Sequence, residues 1–556
     1  MMRSCPVPPW SVPPRDRRYL PAIFCASCLA LFYLAANHVG PYSYAYPPSR
    51  VLEPIERQGD ANEPGASTIT LDDLRTRVER RLVEVEDAEI LSYDASLELE
   101  SKRCPTTERQ SNRDQLNGEG KEWWPVVTVE ELRQGRQRVI DRVRYALAEG
   151  ELVDLVGDHR RGIVFTAGNK DTIDRLLVSI RILRSHGCQL PIEIWGFADE
   201  LASVSASTRT EIARLGPVSW REVEVERVQG AWKQFQIKGE AIARSSFGEV
   251  LYLDSDNIVV TDPTYLFDSP LYKRFGAVLW PDFNRDSARN PIWRTLDVAC
   301  SPSHWQAETG QLLIDKRSRK GLNGAVMQVV REMARESRFW FHMSGGDKDL
   351  FRFAFYFLRL EYAMAPHYPS SVGSLLPTTQ VYKGHVFCGQ TMLQYGLSGE
   401  DWENEAFRKV ATAVTDQDRG AGAGSGSFDD NDDVSDRIQR HAPPLFMHMN
   451  LLKHSGYWNR RGSTFSTIKR PTDDRLDASS LASIRQTGLA IRGICSDVWD
   501  ADAVDGAGEE FEQSGAVEGV YERGGIDVVR FDEAFDGVLR SFEDAYFDAG
   551  GKAGGW

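Results

Sequence analysis

The stretch Glu249-Val250-Leu251-Tyr252-Leu253-Asp254-Ser255-Asp256-Asn257 constrains this chain most, because an apolar run ends there abruptly in two carboxylates one residue apart. A short run rich in aliphatic and aromatic residues reads as a strand buried on both faces, as inside a parallel sheet. Side chains alternate along a strand, so Asp254 and Asp256 point the same way if the extended geometry persists past Leu253. Carboxylates at the C-terminal end of a buried strand lie where open α/β sheets bind ligands. They suit a hard divalent cation carrying a diphosphate, since such ions take oxygen ligands and share them with phosphates. A strand followed by a plain acidic turn has the same local sequence, so the rest of the chain must decide.

With 556 residues there is room for two or three domains, or for one large α/β domain with tails. A formal net charge of −15 argues against nucleic acid as the main partner. No repeat at solenoid or propeller spacing is present. Cys25 and Cys28 lie inside an N-terminal apolar segment, so their spacing is no zinc or redox signal. Cys104, Cys188, Cys300, Cys388 and Cys495 are scattered, which disfavours the usual zinc patterns. In an oxidising compartment they allow one or two disulfides and leave a thiol over.

Residues 1–18 are Pro-rich and basic, and read as a cytosolic tail. Residues 19–39 form an uncharged apolar segment close to the length that crosses a bilayer, preceded by positive charge. An uncleaved signal anchor, single-pass with the bulk of the chain luminal, is expected over a cleaved signal peptide. Residues 40–155 read as a stem, extended at first and then helical. Leu71, Leu74, Val78, Leu82 and Val85 make one helical stripe, fitting a short coiled coil. Thr128-Val129-Glu130-Glu131 is a capping box that opens a second, through Leu132, Val139, Val143 and Leu147. The alternative for both stripes is a helix packed on the chain's own core, and for the second that is the preferred reading.

The globular part, expected over 156–495, starts with a βαβ unit: a strand at 162–166, a helix from Asp171 to Ser185, and a strand at 191–195. Ala167-Gly168 at the first strand's end lets a ligand approach the backbone closely. No G-x-G-x-x-G and no Walker lysine is present, which disfavours an NAD site or P-loop. A helix from Trp232 to Ala243, the Asp254 strand, and strands at 275–282 and 308–316 follow. Alternating strands and helices indicate a mostly parallel sheet with right-handed crossovers. Gly345-Gly346-Asp347-Lys348-Asp349 opens an aromatic-rich helix, where acids complement the dipole or merely cap. Residues 414–436 read as an acidic disordered insertion, order resumes at 443–454, and 496–556 read as an acidic tail in which Val528, Val529, Phe531 and Phe535 suggest partial order.

Taken together, Val250–Asn257, Glu308–Lys316, Gly345–Phe351 and Pro443–His454 resemble, in that order, the fungal α-mannosyltransferases that extend N- and O-linked glycans and mannan. The resemblance covers roughly residues 160–460 and is more specific than any single block; the acidic insertion and the C-terminal tail have no place in it. It implies a type II membrane protein of the Golgi with a GT-A fold: an α/β Rossmann-like, mostly parallel sheet carrying the Asp-x-Asp. It further implies a retaining transfer of mannose from GDP-mannose to a mannosylated glycan acceptor. In that reading Asp254, Asp256 and His448 hold Mn²⁺, and Lys453 helps neutralise the leaving diphosphate. Thr166, Gly168 and Ser255 adjoin the nucleotide. Asp347 and Asp349 serve the donor sugar or its oxocarbenium-like transition state, and Glu308, Gln311 and Trp280 line the sugar pocket. Assembly with itself or with other transferases is compatible with such an address.

The chemistry of these residue types agrees in kind. A nucleoside diphosphate leaves with the help of a Lewis acid rather than a proton donor. Positive charge developing on the sugar calls for a fixed carboxylate nearby. Two other readings stay open at this stage: a retaining GT-A hexosyltransferase using a UDP-sugar, and an inactive luminal glycan-binding protein of the same fold.

Overall fold

The computed structural model describes residues 70–104, 122–151, 158–228, 233–301, 305–377, 385–398, 442–453, 460–476, 497–499, 521–523 and 526–554. The expected cytosolic tail, membrane segment and acidic insertion lie outside these, as does Cys495. Among the described residues no helix is long and apolar enough to cross a membrane.

The strands are β1 (Arg161–Thr166), β2 (Ile192–Gly196), β3 (Val218–Glu222), β4 (Glu249–Asp254), β5 (Asn257–Val259), β6 (Ala277–Arg285), β7 (Trp305–Asp315) and β8 (Ala363–Met364), then β9 (Ser370–Pro377), β10 (His385–Tyr395), β11 (Pro444–His448), β12 (Thr467–Pro471), β13 (Asp497–Trp499), β14 (Tyr521–Arg523) and β15 (Ile526–Arg530). A seven-stranded sheet has the order β3-β2-β1-β4-β7-β6-β8. The first four strands run parallel, as the βαβ start requires. The expected mostly parallel sheet holds only in part, because β7 lies antiparallel between β4 and β6. A second, antiparallel sheet orders β14-β15-β12-β9-β10-β11-β5, with β13 added on β10. The chain passes from the first sheet to the second at the acidic stretch, since β4 ends at Asp254 and β5 starts at Asn257.

Alternation along β4 explains the layers. Val250 and Tyr252 join a cluster on one face of the sheet, Leu251 and Leu253 a cluster on the other. The second face is covered by helix α4 (Lys170–Ser185) through Ile173, Leu176, Ile180 and Leu183. The first face is covered by α5 (Gln236–Arg244), α6 (Leu322–Arg335) and α7 (Leu350–Phe357), together with α1 (Leu71–Glu86) and α3 (Val129–Ala148). Each fully buried large aliphatic side chain here contributes about 2 kcal/mol.

Two boundary expectations change. The helices of 71–148 do not stand off as a stem: Leu74, Val78, Leu82, Val85, Leu132, Val139 and Val143 belong to the same core as Val250 and Met327. The capping box at Thr128–Glu131 is formed as read. A disulfide joins Cys104, just after α2 (Tyr93–Arg103), to Cys300. Chain cut at 150 would bare this face of the core. Residues 526–554 are likewise no loose tail. β15 pairs with β12, and Phe542 and Tyr546 pack with Phe465 and Phe531.

Burial leaves one lysine in an unusual state. Lys316 is fully buried and donates to the carbonyls of Ser245 at 2.6 Å and Ala243 at 3.2 Å. Desolvation lowers its pKa to about 7, against weaker opposing effects of Glu193 and Asp158. The unfolded chain, with lysine near 10.4, then binds more protons than the folded one between about pH 7 and 10. Stability is therefore gained as pH rises through that window, by at most about 1.4 kcal/mol per pH unit from this group. Comparing wild type with Lys316→Met by denaturant unfolding at pH 7 and 9 should show a stability difference that widens in favour of wild type at pH 9. A difference independent of pH would refute the assignment.

Candidate metal and donor site

Three elements converge where the two sheets meet. β4 delivers Asp254 at its last position and the turn after it delivers Asp256. β11 pairs antiparallel with β5, His448 opposite Asn257, which sets the imidazole beside both acids. His448 Nε2 lies 3.6 Å from Asp256 Oδ1 and 3.9 Å from Asp254 Oδ2. One ligand atom from each of the three falls within 4.8 Å of the others, a spacing that can hold a metal ion. Lys453 Nζ sits 2.5 Å from Asp256 Oδ2. The turn itself is tied down, Ser179 Oγ donating to Ser255 O at 2.9 Å and Met449 N to Asp256 O at 2.9 Å.

Lys238, on α5, was not read from the sequence as a site residue. Its Nζ lies 3.3 Å from Asp254 and 3.3 Å from Asp347 Oδ2, and donates to Thr309 O at 2.7 Å. α5 is held for this: Glu240 pairs with Arg331 of α6 at 2.6 Å, and Gly239 lies so near Val330 that a Cβ would come within 2.9 Å of it. Tyr252 completes the surroundings of Asp254, donating to Oδ1 at 2.7 Å while its hydroxyl is 2.7 Å from Thr166 Oγ1. A lysine inside an amphipathic helix, and a tyrosine inside a buried strand, carry no local signal that separates these roles from packing.

The remaining predicted residues divide. Thr166 stands opposite Asp254 across β1 and β4, and Gly168 follows it, so close to Glu200 that a Cβ would lie 2.3 Å from Oε2. Glu308 reaches the cluster, 3.1 Å from His448 Nδ1. Asp347 is buried against Lys238, and its Oδ2 makes an ion pair without a well-aligned hydrogen bond. Asp349 is turned elsewhere. It accepts from Ala307 N and from Arg352, which also pairs with Asp286 at 2.8 Å, and its other oxygen meets Lys348 at 3.0 Å. Neither does it cap α7 with its side chain. Trp280 is core, its Nε1 donating to Tyr395 O and its ring edge-on to Phe446. Gln311 is wholly buried, its amide accepting from Asn257 and donating to Gln394.

Electrostatics follow from the crowding. Burial would raise Asp256, but Lys453 and His448 overcome it and hold the carboxyl well below its ordinary range. Burial opposes charge on Glu308 too, yet His448 and Lys238 bring it down to about 2. His448 is desolvated, but Glu308 and Asp256 lift it to about 10. Burial raises Asp347, Lys238 pulls it back, and Asp254 raises it further. The field at the imidazole therefore favours added positive charge, which is what a divalent cation between these acids would supply.

Acids at the end of a sheet strand, with a histidine and lysines around them, could hold a metal ion together with an anionic group. Residues 160–304 and 294–396 match the family described as "Mannosyltransferase putative". Alpha-1,2-mannosyltransferase MNN21 of Candida albicans is 30% identical over 159 residues, which are 26% of this chain and 23% of that protein. Alpha-1,2-mannosyltransferase MNN22 of the same species is 52% identical over 88 residues, 15% of this chain and 14% of that one. Alpha-1,2-mannosyltransferase MNN2 of Saccharomyces cerevisiae is 28% identical over 130 residues, covering 22% and 21%. Over these segments the chain is similar to fungal α-1,2-mannosyltransferases. It matches less than a quarter of the length of each of these relatives. The family match takes in Lys238, both acids of the Asp-x-Asp, Glu308 and Asp347, while His448 and Lys453 lie beyond it.

Proposed function

We propose that the chain is a retaining, metal-dependent α-mannosyltransferase of GT-A type that transfers mannose from GDP-mannose to a mannose-ended glycan on glycoproteins. The observation that carries this is the convergence of Asp254, Asp256 and His448 within 4.8 Å, with Lys453 on Asp256. The names of these relatives support mannose as the sugar and favour an α-1,2 linkage.

Two carboxylates and an imidazole, under a field that calls for positive charge, fit Mn²⁺. Bound there, such an ion supplies Lewis-acid charge to the departing diphosphate. Lys453 adds a compact cation at the same place, and Lys238 holds Asp254 and Asp347 in register. The buried Asp347 carboxylate is the group placed to stabilise positive charge on the sugar. Thr166 and Gly168, at the end of β1, border the nucleotide side. The bond between the anomeric carbon and the diphosphate breaks with its electron pair on GDP, the acceptor hydroxyl forms the new bond on the same face, and its proton passes to the departing diphosphate.

A Golgi address with a single-pass type II anchor at 19–39 remains part of this reading. The Cys104–Cys300 disulfide supports an oxidising compartment, because such bonds are rare in the cytosol. Full-length protein in detergent, given GDP-mannose and a mannobiose acceptor, should form a mannosylated product only with a divalent ion present. Chelation by EDTA should abolish it and Mn²⁺ restore it. Activity undiminished in EDTA would end the metal reading, and turnover with a UDP-sugar alone would end the donor assignment.

A further inference from the structure

Strand β7 is interrupted beside the site. Leu279 pairs with Leu312, but the next residue of β6, Trp280, pairs with Glu308, so Thr309, Gly310 and Gln311 bulge out of the ladder with β6, while Gln311 still pairs with Leu253 of β4. Bulges of this kind re-aim side chains next to functional sites. Here the bulge is gripped on both sides. Thr309 O accepts from Lys238, and Gly310 O accepts from Asn257 Nδ2 at 2.8 Å. The Gly310 N–H turns back and donates to Glu308 Oε1 at 2.6 Å.

That carboxylate faces His448. The imidazole directs Nε2 at Asp254 and Asp256, and Nδ1 at Glu308 Oε1, 3.1 Å away. The contact is bent rather than straight, so Nδ1 has no well-aligned hydrogen bond. Gly310 N–H is the firm anchor of the carboxylate, and the imidazole is the adjustable partner. Gly310 also makes the approach sterically feasible: a Cβ there would stand 2.5 Å from His448 Nδ1 and 2.8 Å from Cε1. The glycine's backbone is not in the left-handed region, so clearance for the ring is its role.

We propose that the Glu308-Thr309-Gly310 bulge is the positioning element for His448, with the Glu308 carboxylate set beside Nδ1 so that, once a metal ion displaces the Nε2 proton, that nitrogen is aimed at an ion between the two aspartates. A histidine that ligates through one nitrogen is oriented by what its other nitrogen meets, and such partners commonly change metal affinity tenfold to a hundredfold. Glu308 then acts through His448 and is not a sugar ligand. The inference rests on the metal reading of the site.

Mn²⁺ binding to full-length protein, without donor or acceptor, tests it through the free-ion signal in electron paramagnetic resonance. Glu308→Gln should weaken Mn²⁺ binding about tenfold or more. His448→Ala should do the same, and the double variant should be no weaker than His448→Ala alone. At saturating Mn²⁺ the acceptor KM of Glu308→Gln should equal that of wild type. Gly310→Ala crowds the ring from the other side and should also weaken Mn²⁺ binding, with the far-ultraviolet circular dichroism unchanged. Wild-type affinity in both Glu308→Gln and Gly310→Ala would overturn the proposal while leaving the metal site standing. Multiplying losses in the double variant, or a raised acceptor KM, would overturn it in favour of a sugar contact. Wild-type protein that binds no divalent ion would overturn the metal reading itself, and this proposal with it.

Discussion

Asp256→Asn should reduce transfer from GDP-mannose by about a thousandfold and abolish measurable Mn²⁺ binding while leaving the fold intact. Asp256 is the acid on which the cluster closes, since it meets both His448 and Lys453 while itself buried. Replacing it with an isosteric amide removes the charge that a cation needs and leaves the volume. Lewis-acid assistance at a leaving group is worth several kcal/mol, and about 4 kcal/mol corresponds to roughly a thousandfold in rate. The stability cost should be smaller. Lys453 keeps some access to solvent and can turn toward water, and the turn's backbone anchors to Ser179 and Met449 do not involve the side chain. Product formation by chromatography and a thermal melt check the two halves separately. If turnover survives within tenfold, or if the melt collapses along with it, Asp256 is structural.

The sequence disclosed the place of the site more readily than its wiring. Asp254 and Asp256 were legible because a buried strand stopping at acids is a pattern of composition and position. His448 and Lys453 became legible only through the order of blocks, since the pairing of β11 with β5 joins segments about 190 residues apart. Lys238 was invisible, because a lysine on an amphipathic helix is ordinarily a solvated charge. Gln311 and Trp280 were placed in the pocket by the family resemblance, which carries no information on the bulge in β7. The three-residue bulge breaks the strand's alternation and turns Gln311 into the interior. Asp349 sits two residues from Asp347, but Arg352 one helical turn on, with Asp286 behind it, draws its carboxylate away.

The same reasoning applies to the fold. Periodicity found α1 and α3 as helices and favoured the chain's own core as the surface for α3 but not for α1; both stripes join the same core as Val250. Val528, Val529, Phe531 and Phe535 suggested partial order in the acidic, Gly-rich C-terminal segment, but composition did not show that Phe542 and Tyr546 pack against Phe465. Composition reports the average exposure of a segment, whereas packing depends on which residues share a face.

Lys238→Met should lower turnover about a hundredfold or more while leaving Mn²⁺ affinity undiminished, a split that separates this residue from the metal ligands. Its ammonium bridges Asp254 and Asp347 from within the protein, and these carboxylates raise its own pKa despite the burial that opposes charge there. A methionine fills the volume but leaves two acids facing each other. Removing one partner of a buried pair destabilises by about 3 kcal/mol or more. Loss of a neighbouring positive charge does not weaken Asp254 for a cation, and Tyr252 still fixes its other oxygen. Asp347 bears the consequence. Burial already raises its pKa and Lys238 is the opposing influence, so without the lysine it holds its proton to higher pH. If the ionised carboxylate is what stabilises charge on the sugar, the acid limb of the pH–rate profile moves upward in Lys238→Met, and activity is partly recovered as pH rises. A profile of unchanged shape, scaled down uniformly, would mean that Lys238 serves packing alone; weakened Mn²⁺ binding would mean that it serves Asp254 instead.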